Sequence, residues 1–292
     1  MESREYTLGE WLDEWYEVYK KPKLKPYSLR NIDQVLRLYV PTELKAKSLS
    51  ELRAHDIEKV LAKIPFPRMR VYSRQVLFSA LRKAQKLDFV SRNVMEAVDP
   101  VTYRKKKSKS LSIAEQKDFM QKLEKSRYRW VMLFYLLTGV RRSEALSIEW
   151  QDADYAEGVI HIHGTKTAGS ERDILLTKDV AAVLDEQRKQ NEREKDARKR
   201  GRYHQAPEST AFPFTAQQVS REFKRLCPNH HLHELRHTFI TRCAESGVNV
   251  TVCQQLVGHA TADMTLNVYT HVMDEFKRTE AAKYKLFPDF RT

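Results

Sequence analysis

Apolar residues recur at helical spacing through the first hundred positions of the chain. Leu8, Trp11, Leu12, Trp15, Tyr16 and Tyr19 form one stripe, and Ile32, Val35, Leu36 and Leu38 a second. Two more follow, at Ile57, Val60, Leu61 and Ile64 and at Val76, Leu77, Leu81 and Ala84. Each stripe covers one helix face and needs a partner to bury it, so residues 1–100 are predicted to form a bundle of four short amphipathic helices. The aromatic stripe belongs to the core of that bundle rather than to a base-stacking platform.

The periodicity lapses from Pro100 to Ser110, where Arg104, Lys105, Lys106, Lys107 and Lys109 crowd a stretch without an apolar stripe. Residues 101–110 read as an exposed basic linker that marks a domain boundary. Beyond it, Ser112 and Glu115 have capping-box spacing and open a helix, and Trp130 to Leu137 predicts a strongly apolar, buried one. A further helix starts near Arg141, just past Gly139, with Leu146, Ile148 and Trp150 turned inward. The period then changes: Val159 to His163 and Arg172 to Leu176 read as strands around the turn Gly164 to Ser170. A small antiparallel sheet follows, with Lys166 on its hairpin. Residues 178–202 return to helix, and the mixed-sign run 192–200, with pairs such as Glu194–Arg198 and Asp196–Arg200, predicts a solvated helix face that stops at Gly201. Consecutive short helices occupy Thr215 to Lys285. The fold class is mainly α with a small antiparallel β-sheet (α+β), in two domains, 1–100 and 111–292.

Composition adds a partner. Lys and Arg number 52 against 39 Asp and Glu, giving a net charge of +13 and an isoelectric point near 9.5. Such a balance suits a polyanion bound in a salt-dependent way, although a solvated basic surface would carry the same charge. Cys227, Cys243 and Cys253 make an odd set without a CxxC pair, which implies reduced thiols and no metal site. No apolar run approaches the roughly 20 residues that cross a bilayer, and the N-terminus lacks the apolar core of a signal peptide, so a soluble, cytoplasmic protein with no membrane contact is expected.

The candidate chemistry lies in the later part of the chain, in the order Arg141, Lys166, His233, Arg236, His259, Tyr269. Five groups able to carry positive charge and one phenol suit attack on a phosphodiester, because paired guanidiniums stabilise the charge that develops on a phosphorane. Each residue also has a plainer reading. Arg141 and Glu144 have the spacing of a surface ion pair, Lys166 alone would be solvated, His233 could fill a core, and a phenol with a pKa near 10 is a weak nucleophile unless cationic neighbours stabilise its phenolate, which the five preceding groups are expected to do for Tyr269. His233 and Arg236, one helical turn apart, would share a face.

The local settings are more specific than the residues. They read Thr138-Gly139-Val140-Arg141-Arg142-Ser143-Glu144, His233-Glu234-Leu235-Arg236-His237-Thr238, Gly258-His259, Thr265 and Tyr269-Thr270-His271. This set resembles the tyrosine recombinase (phage integrase) family over the C-terminal two thirds of the chain. One departure is Leu256-Val257-Gly258-His259, where the family more often has Leu-Gly-His; it touches packing rather than chemistry.

The resemblance implies a tyrosine-recombinase catalytic domain preceded by a helical, SAM-like core-binding domain. Arg141 and Arg236 would clamp the scissile phosphate, with Glu144 supporting the neighbouring site. Lys166 would protonate the leaving 5′ oxygen, His233 would transfer a proton or fix the phenol, and His259 would face a phosphate oxygen. Tyr269 would attack phosphorus and leave a 3′-phosphotyrosyl link that preserves bond energy, so no cofactor, metal or ATP is expected. Double-stranded DNA with specific recombination sites would be the partner, bound by a homotetramer and served by DNA-bending accessory proteins. A tail over about 273–292 would dock on a neighbouring protomer.

Integration or excision of a phage or other mobile element is the function implied. A type IB topoisomerase would use the same chemistry as a monomer, and a non-catalytic DNA-binding protein of this fold would keep Tyr269 as a core residue. The helical bundle begins almost at Met1, consistent either with a two-domain recombinase or with a chain that begins inside a longer protein carrying an arm-binding domain. For backbone contact with DNA the basic residues of the first domain and linker are candidates: Lys21, Lys23, Lys25, Arg70, Arg74, Lys105, Lys106 and Lys107.

Overall fold

Thr7 opens the first helix, α1 (Leu8–Glu14): its hydroxyl accepts from the Glu10 N–H while the Glu10 carboxylate accepts from the Thr7 N–H. The helix continues into a π-helical turn, Trp15–Lys20, so the first apolar stripe is one element with a wider last turn. Pro26 starts α2 (Pro26–Leu38), Pro67 starts α5 (Pro67–Gln85), and α3 (Thr42–Lys45) and α4 (Ala54–Ala62) lie between them. The bundle is thus richer than four short helices, with a long α5, the extra turn α3 and a 3-10 turn at Val94–Ala97.

This computed structural model describes residues 5–103, 109–164, 171–204, 206–259, 261, 263, 265, 266 and 268–270. The chain divides into two units, Met1–Lys106 and Lys107–Thr292. In the first, Leu8, Trp11, Trp15, Val35, Ile57, Leu77 and Leu81 are buried together. The Trp11 indole N–H donates to the Ala80 carbonyl at 3.0 Å, which satisfies the one polar atom this side chain takes into the core. The aromatic stripe is core.

The second unit is built around α7 (Arg129–Thr138), which packs against α9 (Lys178–Lys199) and α11 (Glu234–Glu245). α6 (Ile113–Leu123) carries the capping box of Ser112 and Glu115, and α10 (Ala216–Leu226) completes the layer. Phe119, Phe134, Phe212 and Phe223 fill the interior, each such side chain contributing roughly 1.5–3 kcal/mol of burial. The sheet has the order β1-β2-β3, all antiparallel, from Ala153–Asp154, Val159–Ile162 and Arg172–Leu175. The alternation of Ile160 and Ile162, both buried, against exposed His161 is what half-buried strands require. β1 is too short to leave a period of its own.

Three local expectations change. α8 (Arg142–Leu146) is a short helix, and Ile148 and Trp150 follow it, with Trp150 starting a 3-10 turn at Trp150–Asp152. The mixed-sign run of α9 is not simply a solvated face. Arg127 forms a bidentate pair with Glu194, 3.0 Å from Nε to Oε1 and 2.6 Å from Nη2 to Oε2, and stacks on Tyr203 at 3.7 Å, so both charges are largely covered. Glu194 also lies 3.7 Å from Arg198. The Arg200 N–H instead donates to the Asp196 carbonyl at the helix end.

Candidate active site

Four helix ends and one strand converge in the second unit. Gly139 ends α7 in the left-handed conformation, φ 62°, and a Cβ there would lie 2.4 Å from Phe239 Cδ1. Glycine is the residue both the backbone and the packing of α11 permit. That tight exit places Arg141 as the residue capping α8.

Glu144 is the node. Its carboxylate is only 2% exposed, and it accepts from the Arg141 main-chain N–H at 2.8 Å, Arg141 Nη1 at 2.7 Å and Arg172 Nη2 at 3.0 Å. Burial pushes its pKa up, but the Arg172 and Arg141 hydrogen bonds outweigh that and hold it below the usual carboxylate range. The surface-pair reading of Arg141 and Glu144 is therefore replaced by a buried carboxylate between two guanidiniums. Both arginines also clip α12 (Val250–Val257): Arg172 Nε donates to the Leu256 carbonyl at 2.8 Å and Arg141 Nη2 to the Gly258 carbonyl at 2.6 Å. Cations at a helix C-terminus meet the negative end of its dipole. Gly258, φ 65°, leaves room for this, since a Cβ there would stand 2.8 Å from Arg172 Nη1.

Arg236, on the first turn of α11, is 2% exposed. Its Nη1 donates to the Gly139 carbonyl at 2.7 Å, and its Nη2 is buried without a hydrogen-bond partner among the described residues. Burial first, then Arg141 nearby, disfavour its charge. A guanidinium nevertheless stays protonated in proteins, so a charged donor is left open at the site among the described residues. A cavity of about 510 Å³ reaches it, bounded also by Arg142, Lys224, His231 and His233.

His233 caps α11 and its ring meets that of His237 edge-on at 5.1 Å. Its pKa falls to about 4, through burial first and then His237, Arg236 and Arg141. His259 follows Gly258, shares a 2.8 Å hydrogen bond between Nδ1 and Thr265 Oγ1, and is likewise lowered to about 4 by burial, Arg236 and Arg141. Both imidazoles are neutral near pH 7 in the free protein. They can accept a proton when an anion arrives.

Tyr269 corrects one expectation. Cationic neighbours were to favour its phenolate, but it packs with Ile240, Ala244, Cys253 and Val257 and is 6% exposed. Its hydroxyl has no hydrogen-bond partner among the described residues; the Cys253 thiol lies beside it without hydrogen-bond geometry. Burial is the largest cause that pushes its pKa above the ordinary tyrosine value. The phenol is held as a protonated, apolar-packed group.

Lys166, and Lys105, Lys106 and Lys107 of the linker, lie outside the described residues, as does the tail proposed over 273–292. Lys21 pairs with Glu17 at 2.7 Å, and Lys23 and Lys25 are exposed. Arg70 and Arg74 also brace the fold: Arg70 Nη2 donates to the Ile64 carbonyl at 2.8 Å, and Arg74 Nη2 to the Val98 carbonyl at 2.8 Å. Arg172 was missed by sequence reasoning, because a charged residue opening a strand looks like a polar end.

Residues 109–275 match the phage integrase family, and residues 7–64 match the phage integrase N-terminal SAM-like domain. The chain belongs to the phage integrase family of tyrosine recombinases, which are DNA strand-transferring enzymes. It is 26% identical to tyrosine recombinase XerA of Pyrococcus horikoshii over 237 residues, 80% of this chain and 81% of that protein. Among solved structures it is similar to a lambda integrase dimer bound to a COC′ core site, with a TM-score of 0.73 at 18% identity over 98% of this chain and 81% of that one. A lambda integrase tetramer bound to a Holliday junction gives a TM-score of 0.71 at 20% identity, over 88% of this chain and 78% of that one.

Proposed function

We propose that the protein is a site-specific recombinase that cleaves and rejoins duplex DNA through a 3′-phosphotyrosyl intermediate, serving integration or excision of a phage or other mobile element. The observation that carries this is Arg236, a buried guanidinium whose Nη2 has no partner among the described residues, beside Arg141 and two neutral histidines. A phosphate oxygen completes that hydrogen-bond set, and the growing charge of a phosphorane is stabilised where the donors are already in place. Arg141 and Arg236 hold the nonbridging oxygens, and His233 and His259 accept protons or donate to oxygen as charge develops. Tyr269 attacks phosphorus while Lys166 protonates the departing 5′ oxygen. The phosphotyrosine keeps the bond energy, so a 5′-hydroxyl from a second duplex reverses the step.

The same reading makes residues 1–100 a DNA-binding domain, 101–110 a basic linker and 111–292 the catalytic domain. Lys21, Lys23, Lys25, Arg70, Arg74, Lys105, Lys106 and Lys107 contact the DNA backbone, with four protomers synapsing two sites in the nucleoid. The buried phenol of Tyr269 has to leave its apolar packing to reach phosphorus.

The test is covalent capture. Wild-type and Tyr269→Phe protein are incubated with fragmented genomic and element DNA, denatured, and the protein-linked DNA ends are sequenced. Linked ends from the wild type alone, concentrated at one inverted-repeat site, support the reading. Scattered linked ends favour a topoisomerase, and equal linkage by Tyr269→Phe contradicts the assignment of the nucleophile.

A further inference from the structure

A third histidine, outside the phosphate site, is built in the opposite way to His233 and His259. His230 is 8% exposed and lies in the turn just before α11. Its Nδ1 is 2.7 Å from Glu234 Oε2 and its Nε2 is 3.1 Å from Glu115 Oε1. A neutral imidazole has one N–H and one lone pair, so it would turn a lone pair toward one of these carboxylates; only the imidazolium donates to both. The two carboxylates are otherwise engaged. Glu234 also accepts from the His231 N–H at 3.2 Å and the Lys109 N–H at 3.4 Å, and Glu115 accepts from the Ser112 N–H at 2.8 Å.

The triad thus joins three elements: the entry segment from Lys109, the N-terminus of α6, and the turn leading into α11. Neighbouring bonds fasten the same segment, with the Leu111 N–H donating to Thr238 Oγ1 at 2.9 Å and Arg242 Nη2 to the Leu111 carbonyl at 2.8 Å. His233 is three residues past His230 and Arg236 two past Glu234, so the turn braced by the imidazolium carries both. Other charged or titratable groups beside it among the described residues include His231, which shares the Glu234 carboxylate through its N–H, Lys224 of α10, whose ammonium is 3.4 Å from the His230 carbonyl, and Cys227, whose carbonyl accepts from the His230 N–H at 3.1 Å.

We propose that His230 is a positioning residue for strand transfer: as an imidazolium between Glu115 and Glu234 it sets the α11 N-terminus, and so His233 and Arg236, in register with Arg141. The inference rests on the strand-transfer reading above. Its electrostatics agree in direction. Burial lowers the His230 pKa, but its hydrogen bonds to Glu115 and Glu234 outweigh that and raise the value above the ordinary histidine figure. Glu115 is held at about 2 by the Ser112 N–H and by His230. A raised folded-state value means that the contribution is complete below a pH of about 6.5 and is lost as pH climbs through the folded value.

The experiment uses the full chain and a nicked duplex carrying the cleavage site recovered by covalent capture. Single-turnover formation of protein-linked DNA is compared for wild type, His230→Gln and the double variant His230→Gln/Glu115→Gln between pH 6 and pH 10, together with DNA affinity and thermal unfolding. His230→Gln leaves two carboxylates facing a neutral amide. It is expected to slow cleavage at least tenfold at pH 6.5 with affinity changed less than threefold, and the second substitution recovers at least threefold of that loss. The wild-type to His230→Gln rate ratio shrinks toward one as pH rises, because deprotonated wild type comes to resemble the variant. Imidazole ¹⁵N shifts of the free protein show both ring nitrogens protonated at pH 7.

A ratio of one at every pH, a loss independent of pH, or a neutral His230 ring at pH 7 overturns the proposal while leaving strand transfer intact. Absence of any linked DNA from the wild type overturns the strand-transfer reading itself.

Discussion

The arginine cradle and the tyrosine cluster share α11 and α12, yet they are built to opposite rules. In the cradle the charged groups are tied to the frame, Glu144 to Arg141 and Arg172, Arg141 and Arg172 to the carbonyls at the end of α12, and Arg236 through Nη1 to the end of α7, which leaves its Nη2 as the open donor among the described residues of the cradle. Around Tyr269 the described contacts are apolar, and the hydroxyl has no hydrogen-bond partner among the described residues. Preorganised cations lower the cost of receiving a dianionic transition state, whereas a nucleophile kept protonated and packed reacts only after it is drawn out. On the proposed function, the half of the site that binds phosphate exists before DNA arrives, and Tyr269, the proposed nucleophile, waits for it.

The sharpest way to break this comparison is to remove the orphan donor. Arg236→Ala is expected to reduce covalent cleavage by about 10² to 10³-fold, the cost of losing one preorganised donor to a developing oxyanion. Arg236→Lys should recover little of it, because a point charge cannot serve the Gly139 carbonyl and a phosphate together. Single-turnover cleavage of the captured site measures both. Full activity in Arg236→Ala would show that the cradle is structural only.

Glu144→Gln comes next. It leaves two guanidiniums sharing one neutral amide and is expected to destabilise the second unit by about 3 kcal/mol, as breaking a buried charged pair does. Chemical denaturation followed by Trp130 and Trp150 fluorescence checks it. Gly258→Ala is milder: the added methyl at a positive φ must displace Arg172, with a cost of roughly 1–2 kcal/mol of backbone strain and a loss of cleavage near tenfold.

The histidines sharpen the contrast by pH. His233 and His259, lowered to about 4, lie below their unfolded value near 6.5, so the unfolded chain binds more protons between those values and stability rises with pH across that window. An incoming phosphate favours their charged forms, and DNA binding at pH 6 should take up protons. Calorimetry of Tyr269→Phe in buffers of different ionisation enthalpy measures this; zero uptake from pH 5.5 to pH 7 contradicts it. The smallest effect belongs to the surface: Lys23→Ala should weaken binding to every duplex alike and reduce the salt slope by about one.

Much of this was legible from residue order. Helical stripes located the bundle, the change of period located β2 and β3, and the capping box of Ser112 and Glu115 stands where its spacing put it. The motifs named Arg141, Glu144, His233, Arg236 and His259, which the fold brings around one cavity and its neighbouring helix ends. What escaped was set by contacts between distant parts of the chain. Arg172 acquires its role when α12 returns to it, 84 positions later, and His230 when α6 presents Glu115 across 115 positions. Tyr269 escaped differently. Its partners in sequence are polar or cationic motifs, but its partners in space are Ile240, Ala244 and Val257, so the phenol's pKa moves up instead of down.

The most direct test of the whole account is to digest the covalent protein–DNA complex with nuclease and protease and to locate the residue carrying the nucleotide by mass spectrometry. A single nucleotide joined through its 3′ phosphate to the peptide containing Tyr269 is the predicted result. A nucleotide on another residue, or attached through its 5′ end, would contradict it.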